Sequence, residues 1–179
     1  LAGLAIKVLF PVSYESAGRS TLVIAIASIV MALLLGVSEL VGRRKRDFLD
    51  LGMSDGILVG LAQALALVPG VSRSGSTLTA GLFLGLQRET AARFSFLLGM
   101  PAILLAGLVS IKDVLEGAQS VSLVPLLGGL LAAVVSSYVA IAWLIEFLKK
   151  HSAWVFVWYR LAFGAALLIG IAMGKIASV

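Results

Sequence analysis

Arg73 stands between two serines in the run Leu67-Val68-Pro69-Gly70-Val71-Ser72-Arg73-Ser74-Gly75-Ser76-Thr77. One fixed cation beside the hydroxyls of Ser72, Ser74, Ser76 and Thr77 is a composition suited to holding an oxyanion. A guanidinium offers paired N–H donors that match phosphate oxygens. Gly70 and Gly75 let the backbone approach a ligand without a Cβ in the way. If a helix begins just after the run, its unpaired N–H groups and positive dipole end add to an anion site. Gln63, on the apolar segment before Pro69, is read as a polar group turned toward the same site. The ligand described is an oligophosphate with an apolar attachment, because the run lies inside a very apolar chain.

The elements that hold the run are membrane segments. The chain has 179 residues, 60% of them hydrophobic, and a mean hydropathy of +1.10. Apolar blocks near 20 residues long indicate an all-α polytopic membrane protein. Alternation at period two, the mark of a β-barrel, is missing. Cysteine is absent and His151 is the one histidine, which excludes disulfides and Cys- or His-based metal centres within this chain. The net charge of +5 bears on topology. No basic stretch with interleaved aromatics suggests a nucleic-acid partner.

In order, Leu1 to Phe10 is a short apolar piece and Pro11 to Arg19 an inter-helix loop. Ser20 to Val41 spans the bilayer, and Gly42-Arg43-Arg44-Lys45-Arg46-Asp47 is the strongest basic cluster. Ile57 to Val68 and Leu78 to Leu86 are each too short to span, and the polar run separates them. Pro69 removes a backbone donor and disfavours helix at Val68, so the region from about 55 to 87 is predicted to be a re-entrant hairpin. Gly52, Gly56 and Gly60 form a stripe open to close helix approach. Thr90 to Val109 spans, with a polar loop at Lys112, Asp113 and Glu116. Val121 to Ile145 spans, its Gly128-Gly129 and Ser136-Ser137 suited to tight packing. Glu146 to His151 is a loop, and Ala153 to Gly174 is the last span, opened by the interfacial aromatics Trp154, Trp158 and Tyr159. Arg93 and Arg160, each early in a span, are read as snorkelling to the interface.

Charge supports the hairpin independently. If the hairpin returns to its own side, Arg43 to Arg46, Arg88, Arg93 and Lys149-Lys150 share one side, the cytoplasm under the positive-inside rule. If it crossed, Lys149-Lys150 would fall on the other side.

The stretch Gly60 to Thr77, with its Pro-Gly-x-Ser-Arg-Ser-Gly core, resembles the second signature of the bacterial undecaprenyl-diphosphate phosphatase (bacitracin-resistance protein) family. The stretch from Arg88-Glu89-Thr90-Ala91-Ala92-Arg93-Phe94-Ser95-Phe96-Leu97-Leu98 to Pro101 is similar to the same family, and the segment layout agrees over the whole chain. The resemblance implies a single integral-membrane domain over residues 1–179 in an inverted-repeat architecture, placed in the bacterial inner membrane. It implies hydrolysis of a polyprenyl diphosphate lipid, recycling the carrier for peptidoglycan synthesis and conferring bacitracin resistance. It also implies a divalent cation, Mg²⁺ or Ca²⁺, and allows a homo-oligomer. Arg73 and Ser72 would act in catalysis. Gly70, Ser74, Gly75, Ser76, Thr77 and Gln63 would bind substrate.

The family's other signature, paired acidic residues followed by Pro-x-Ser-Ser-x-Gly-His, is not found. Phe10-Pro11-Val12-Ser13 echoes its letters without an upstream acid or a following histidine. The chain opens Leu1-Ala2-Gly3 and is expected to lack an N-terminal third that carries the nucleophile, the general base and the metal ligands. On its own it is expected to be inactive. Two other classes of function share some of these features. A transporter or lipid translocase also uses broken helices around a midplane anion site, and phosphate release against ion-coupled flux separates it from a hydrolase. A structural membrane subunit is the third.

Overall fold

The computed structural model describes residues 20–117 and 123–177, with side chains over 20–110 and 124–177. Leu1 to Phe10 and the Pro11 to Arg19 loop lie outside the described residues. The described elements are helical: α1 (Thr21–Val41), α2 (Met53–Ala64), α3 (Arg73–Phe83), α4 (Arg88–Gly117), α5 (Leu123–Lys150) and α6 (Trp154–Ala172), with 3-10 turns at Phe48–Asp50 and Leu65–Leu67. Four helices, α1, α4, α5 and α6, are long and apolar enough to cross a membrane. The protein is an all-α, multi-pass membrane protein.

The expected hairpin is α2 and α3 packed on each other. Its turn follows local chemistry. Val68 is extended, as a residue before proline must be. Pro69 and Gly70 occupy the middle of a β-turn closed by Val71 N–H donating to Val68 C=O at 3.1 Å. Gly70 has φ +90°, and a Cβ there would lie 2.5 Å from the Ile24 carbonyl oxygen; the turn therefore demands glycine.

The hairpin closes at its base. Gly85, at φ +83°, ends α3. Leu86 N–H donates to Gly81 C=O and Gly85 N–H to Leu82 C=O, each at 3.0 Å, a left-handed helix stop that only glycine forms without strain. Lys45 and Arg46, which precede the hairpin, donate their amides to Gly85 C=O at 3.0 Å, and Gln87 N–H returns to Arg46 C=O at 2.8 Å. Entrance and exit of the hairpin are hydrogen-bonded to each other. It goes in and comes back on one side.

Its depth follows from its neighbours on α1. Gly42 faces the Leu82 carbonyl at the base, and Gly70 faces Ile24 at the tip. The stretch from Ile24 to Gly42 measures about 27 Å at helical rise, close to the thickness of roughly 30 Å for the hydrocarbon core. The tip stands near the end of α1 away from the basic cluster. Around the hairpin, α1 packs on α6 and α3, and α4 packs on α3. Leu35, Leu82, Leu86, Leu148 and Val157 are buried among them.

Several boundaries differ from the sequence reading. The first leg begins at Met53 and ends in a 3-10 turn. The second leg is Arg73–Phe83 in place of Leu78 to Leu86, because the Ser72 side chain caps it, accepting from Gly75 N–H at 3.2 Å. Arg73 to Thr77 are thus helix, and the loop proper is Val68 to Ser72. The polar loop predicted at Lys112, Asp113 and Glu116 is helical to Gly117; charged residues stop a membrane span without stopping a helix. Pro101 is accommodated within α4. Glu146 to Lys150 are the last turns of α5, where Lys149 and Lys150 pair with Glu146 at 3.2 and 3.0 Å and favour the negative dipole end. Among the described residues, a Cβ on Gly56, Gly60, Gly128 or Gly129 would meet nothing within 4 Å, so no described helix packs closely on these small residues.

Candidate active site

The tip of the hairpin gathers hydrogen-bond donors, some of them without a partner among the described residues. The Ser72 Oγ lies 3.3 Å from the Ser74 Oγ, and both residues line a cavity of about 320 Å³ with Ser28, Gly70, Gly75, Ser95 and Arg160. The α3 amides of Arg73 and Ser74 make no hydrogen bond among the described residues, the ordinary condition of a first helical turn. The positive end of the α3 dipole points into this group.

Arg73 is exposed, and its guanidinium forms no hydrogen bond or ion pair among the described residues. It lies against α4, where a Cβ built on Gly99 would be 3.4 Å from its Cζ. It does not line the cavity. Of the other predicted residues, Gly70, Ser72, Ser74 and Gly75 come together on the cavity wall. Ser76 and Thr77 do not. Both are buried, and both hydroxyls donate back to the Arg73 carbonyl at 2.9 Å, the usual outcome for hydroxyls with no solvent within a helix. Thr77 Oγ1 also meets Ser95 Oγ at 2.5 Å, joining α3 to α4. Their part is to hold the first turn of α3 in place. Gln63 does not line the cavity either; its Oε1 is buried without a partner.

Arg160 overturns the snorkelling reading. It sits in the interior, where its Nη2 donates to Gly70 C=O at 2.7 Å and its Nε is buried without a partner. The Arg160 carbonyl accepts from Ser28 Oγ at 3.5 Å. A cation inside a membrane costs several kcal/mol unless it is compensated, and one backbone carbonyl supplies little of that. The available signal was that Arg160 is the sole charged residue of α6, which by default marks an intramembrane residue as functional. Arg93 is exposed in a groove with Phe48, Phe96, Leu97, Ile141 and Ile145.

The opposite end is built differently. Glu39, buried at the end of α1, accepts from Arg88 Nε at 2.7 Å, from Arg88 Nη2, and from Arg44 Nη1 at 3.3 Å. Arg46 grips both oxygens of Asp55 on α2 at 3.0 and 2.7 Å and also donates to Leu84 C=O at the end of α3 at 3.1 Å. One guanidinium thereby ties the two legs of the hairpin. Hydrogen bonds from Arg46 and from the Gly52 amide hold the Asp55 carboxyl below the usual carboxylate range. Lys149 lies 3.7 Å from Glu89, which brings the end of α5 to the same face. The basic clusters therefore share one end, as the charge argument required.

Among the described residues no three His, Cys, Asp or Glu side chains converge on a possible metal position. Glu39 and Asp55 are committed to arginines at the end opposite the tip. Among the described residues, no acidic side chain stands beside Arg73 at the tip.

Comparison with known proteins identifies the family. The chain is 63% identical over 173 residues to the undecaprenyl-diphosphatase of Trichormus variabilis, covering 96% of this chain and 54% of that protein. It is 60% identical over 175 residues to that of Trichodesmium erythraeum, covering 97% and 56%. With that of Synechococcus elongatus it shares 54% identity over 180 residues, covering 100% and 62%. The chain spans about half the length of the curated relatives it matches. The family model of the bacitracin resistance protein BacA matches residues 1–166, and the chain belongs to that family.

Proposed function

We propose that the intact protein hydrolyses undecaprenyl diphosphate to undecaprenyl phosphate and inorganic phosphate, in the bacterial inner membrane, and so returns the lipid carrier to cell-wall synthesis and confers bacitracin resistance. The observation that carries this reading is an Arg73 guanidinium with no partner among the described residues, carried on the same first turn of α3 that presents Ser72, Ser74 and two unbonded amides. Phosphoryl transfer asks little of a protein beyond placing the phosphate and compensating the charge on its oxygens. Arg73 is suited to both tasks. The amides and the two serine hydroxyls orient the remaining oxygens. Under the positive-inside rule the basic end is cytoplasmic, so the tip opens toward the outer side.

Bond cleavage also needs a nucleophile and a proton acceptor. The described residues place the Ser72 and Ser74 hydroxyls at the tip but no carboxylate or imidazole to accept a proton, and in this reading the activated nucleophile and its base come from outside this chain. A divalent cation, Mg²⁺ or Ca²⁺, belongs to the same reading, with its ligands likewise from outside, and no step is assigned to it. Its part would be to neutralise phosphate charge.

The test is phosphate release from undecaprenyl diphosphate by the intact protein in detergent. Arg73→Ala is expected to abolish it while the protein still inserts. Near-wild-type turnover by that variant would remove Arg73 from the site. Ion-coupled flux in vesicles without phosphate release would replace the hydrolase by a transporter.

A further inference from the structure

The cavity beneath the tip is polar at one end and apolar along the rest. From Ser72, Ser74 and Arg160 it runs past Phe96 and Phe156 to Leu148. Ser28 and Leu35 of α1 also line it, about 10 Å apart along the helix axis, with Leu35 nearer the basic end. The apolar arm thus extends back from the tip, along the hairpin, toward the basic end. Arg160 stands on this cavity. Arg73 stands outside it, on the α4 side against Gly99. The two guanidiniums flank the first turn of α3 on different sides, and neither faces a carboxylate among the described residues.

Resting on the lipid-diphosphate reading, we propose that these cations serve different phosphates: Arg160 holds the phosphate joined to the hydrocarbon, and Arg73 holds the terminal one. Arg160 lines the cavity that carries the apolar arm and Arg73 does not, so a ligand with its first isoprene units in that arm presents its lipid-linked phosphate to Arg160. Its second phosphate then projects past the helix start toward Arg73. Arg160 is prepared for the task. One nitrogen is fixed by Gly70 C=O, and its buried Nε lacks, among the described residues, an acceptor that a phosphate oxygen would supply. The arrangement also sets the direction of the chain. The hydrocarbon next to the headgroup runs back toward the basic end, away from the face on which the tip opens.

The experiment uses the intact protein in detergent with farnesyl monophosphate as a non-hydrolysed probe and farnesyl diphosphate as substrate. Arg160→Gln is expected to weaken monophosphate binding about 10-fold or more and to raise KM about as much, with kcat within about 3-fold. Arg73→Gln is expected to lower kcat at least about 100-fold and to leave monophosphate binding within about 3-fold. Arg160→Lys, which keeps the charge and loses the planar fork, should fall between wild type and Arg160→Gln; it also serves if Arg160→Gln does not fold. Undiminished monophosphate binding by the Arg160 variants, or a loss confined to kcat, overturns the assignment. If wild-type protein releases no phosphate, the hydrolase reading fails, and the binding of the monophosphate still decides the role of Arg160.

Discussion

The two ends of the hairpin use the same side chain for opposite purposes. At its base, Arg44, Arg46 and Arg88 all meet carboxylates, and Arg46 also takes up the carbonyls of Asp50, just before the first leg, and of Leu84, at the end of the second. At its tip, among the described residues, Arg73 makes no hydrogen bond or ion pair and Arg160 donates to one carbonyl. Paired arginines near the interface hold elements together, since removing either partner strands the other. An arginine inside an apolar bundle without a counter-charge, as Arg160 is among the described residues, is a standing cost, and a ligand that brings negative charge removes that cost. The base is built to fold; the tip is built to bind.

The contrast can be broken most directly at the tip. Arg73→Ala should reduce phosphate release by about 100- to 1000-fold, the scale for losing one preorganised donor to a developing oxyanion, with little change in thermal midpoint. A similar activity loss in Arg46→Gln, without loss of stability, would erase the distinction between the ends. The next largest effect is expected at the turn. In Gly70→Ala a Cβ would collide with the Ile24 backbone at a φ that L residues avoid, and we expect a loss of about 3 kcal/mol, read as reduced recovery of folded protein.

At the base, Asp55→Asn should lower the thermal midpoint by roughly 5 °C at neutral pH and leave kcat nearly intact. The effect carries a sign in pH. Because folding depresses the Asp55 pKa, its stabilisation is complete above the unfolded value of about 3.9. It is lost as pH falls through the folded value, so the gap between wild type and variant should close in acid. A gap that widens in acid would contradict the Arg46 clamp.

Smaller effects separate the hydroxyls. Ser72→Ala removes the cap of α3 and should cost about 1 kcal/mol together with some substrate affinity. Ser76→Ala, which removes only a bond to a backbone carbonyl, should leave KM unchanged. Gly128→Ala, on a face that touches nothing among the described residues, should change stability by no more than about 0.5 kcal/mol; a larger shift would show that this face is covered in the intact protein.

Much of the hairpin was legible before any coordinates. Pro69-Gly70 between two short apolar runs, with basic residues on both flanks, specified a turn that returns to its own side. The hydrogen bonds joining Lys45 and Arg46 to Gly85, and Gln87 back to Arg46, bear that out. Helix ends were less legible. Hydropathy reports where a segment leaves the bilayer, whereas α4 and α5 continue as helix through charged residues whose backbone bonds do not depend on the membrane.

The site divided in the same way. Residue types within one run identified an anion-binding group, and local rules account for the Ser72 cap and the Gly70 turn, because both are settled by bonds of three or four residues' reach. Which hydroxyls stay available was a tertiary outcome. Ser76 and Thr77 are pressed against neighbouring helices and turn to the Arg73 carbonyl; Ser72 and Ser74 face the cavity. Arg160 belongs to the tip through its bond to Gly70, 90 residues away in sequence. No pattern along the chain encodes such a pairing, since it exists only when α6 packs antiparallel along α1 and carries its one charge to the depth the hairpin reaches.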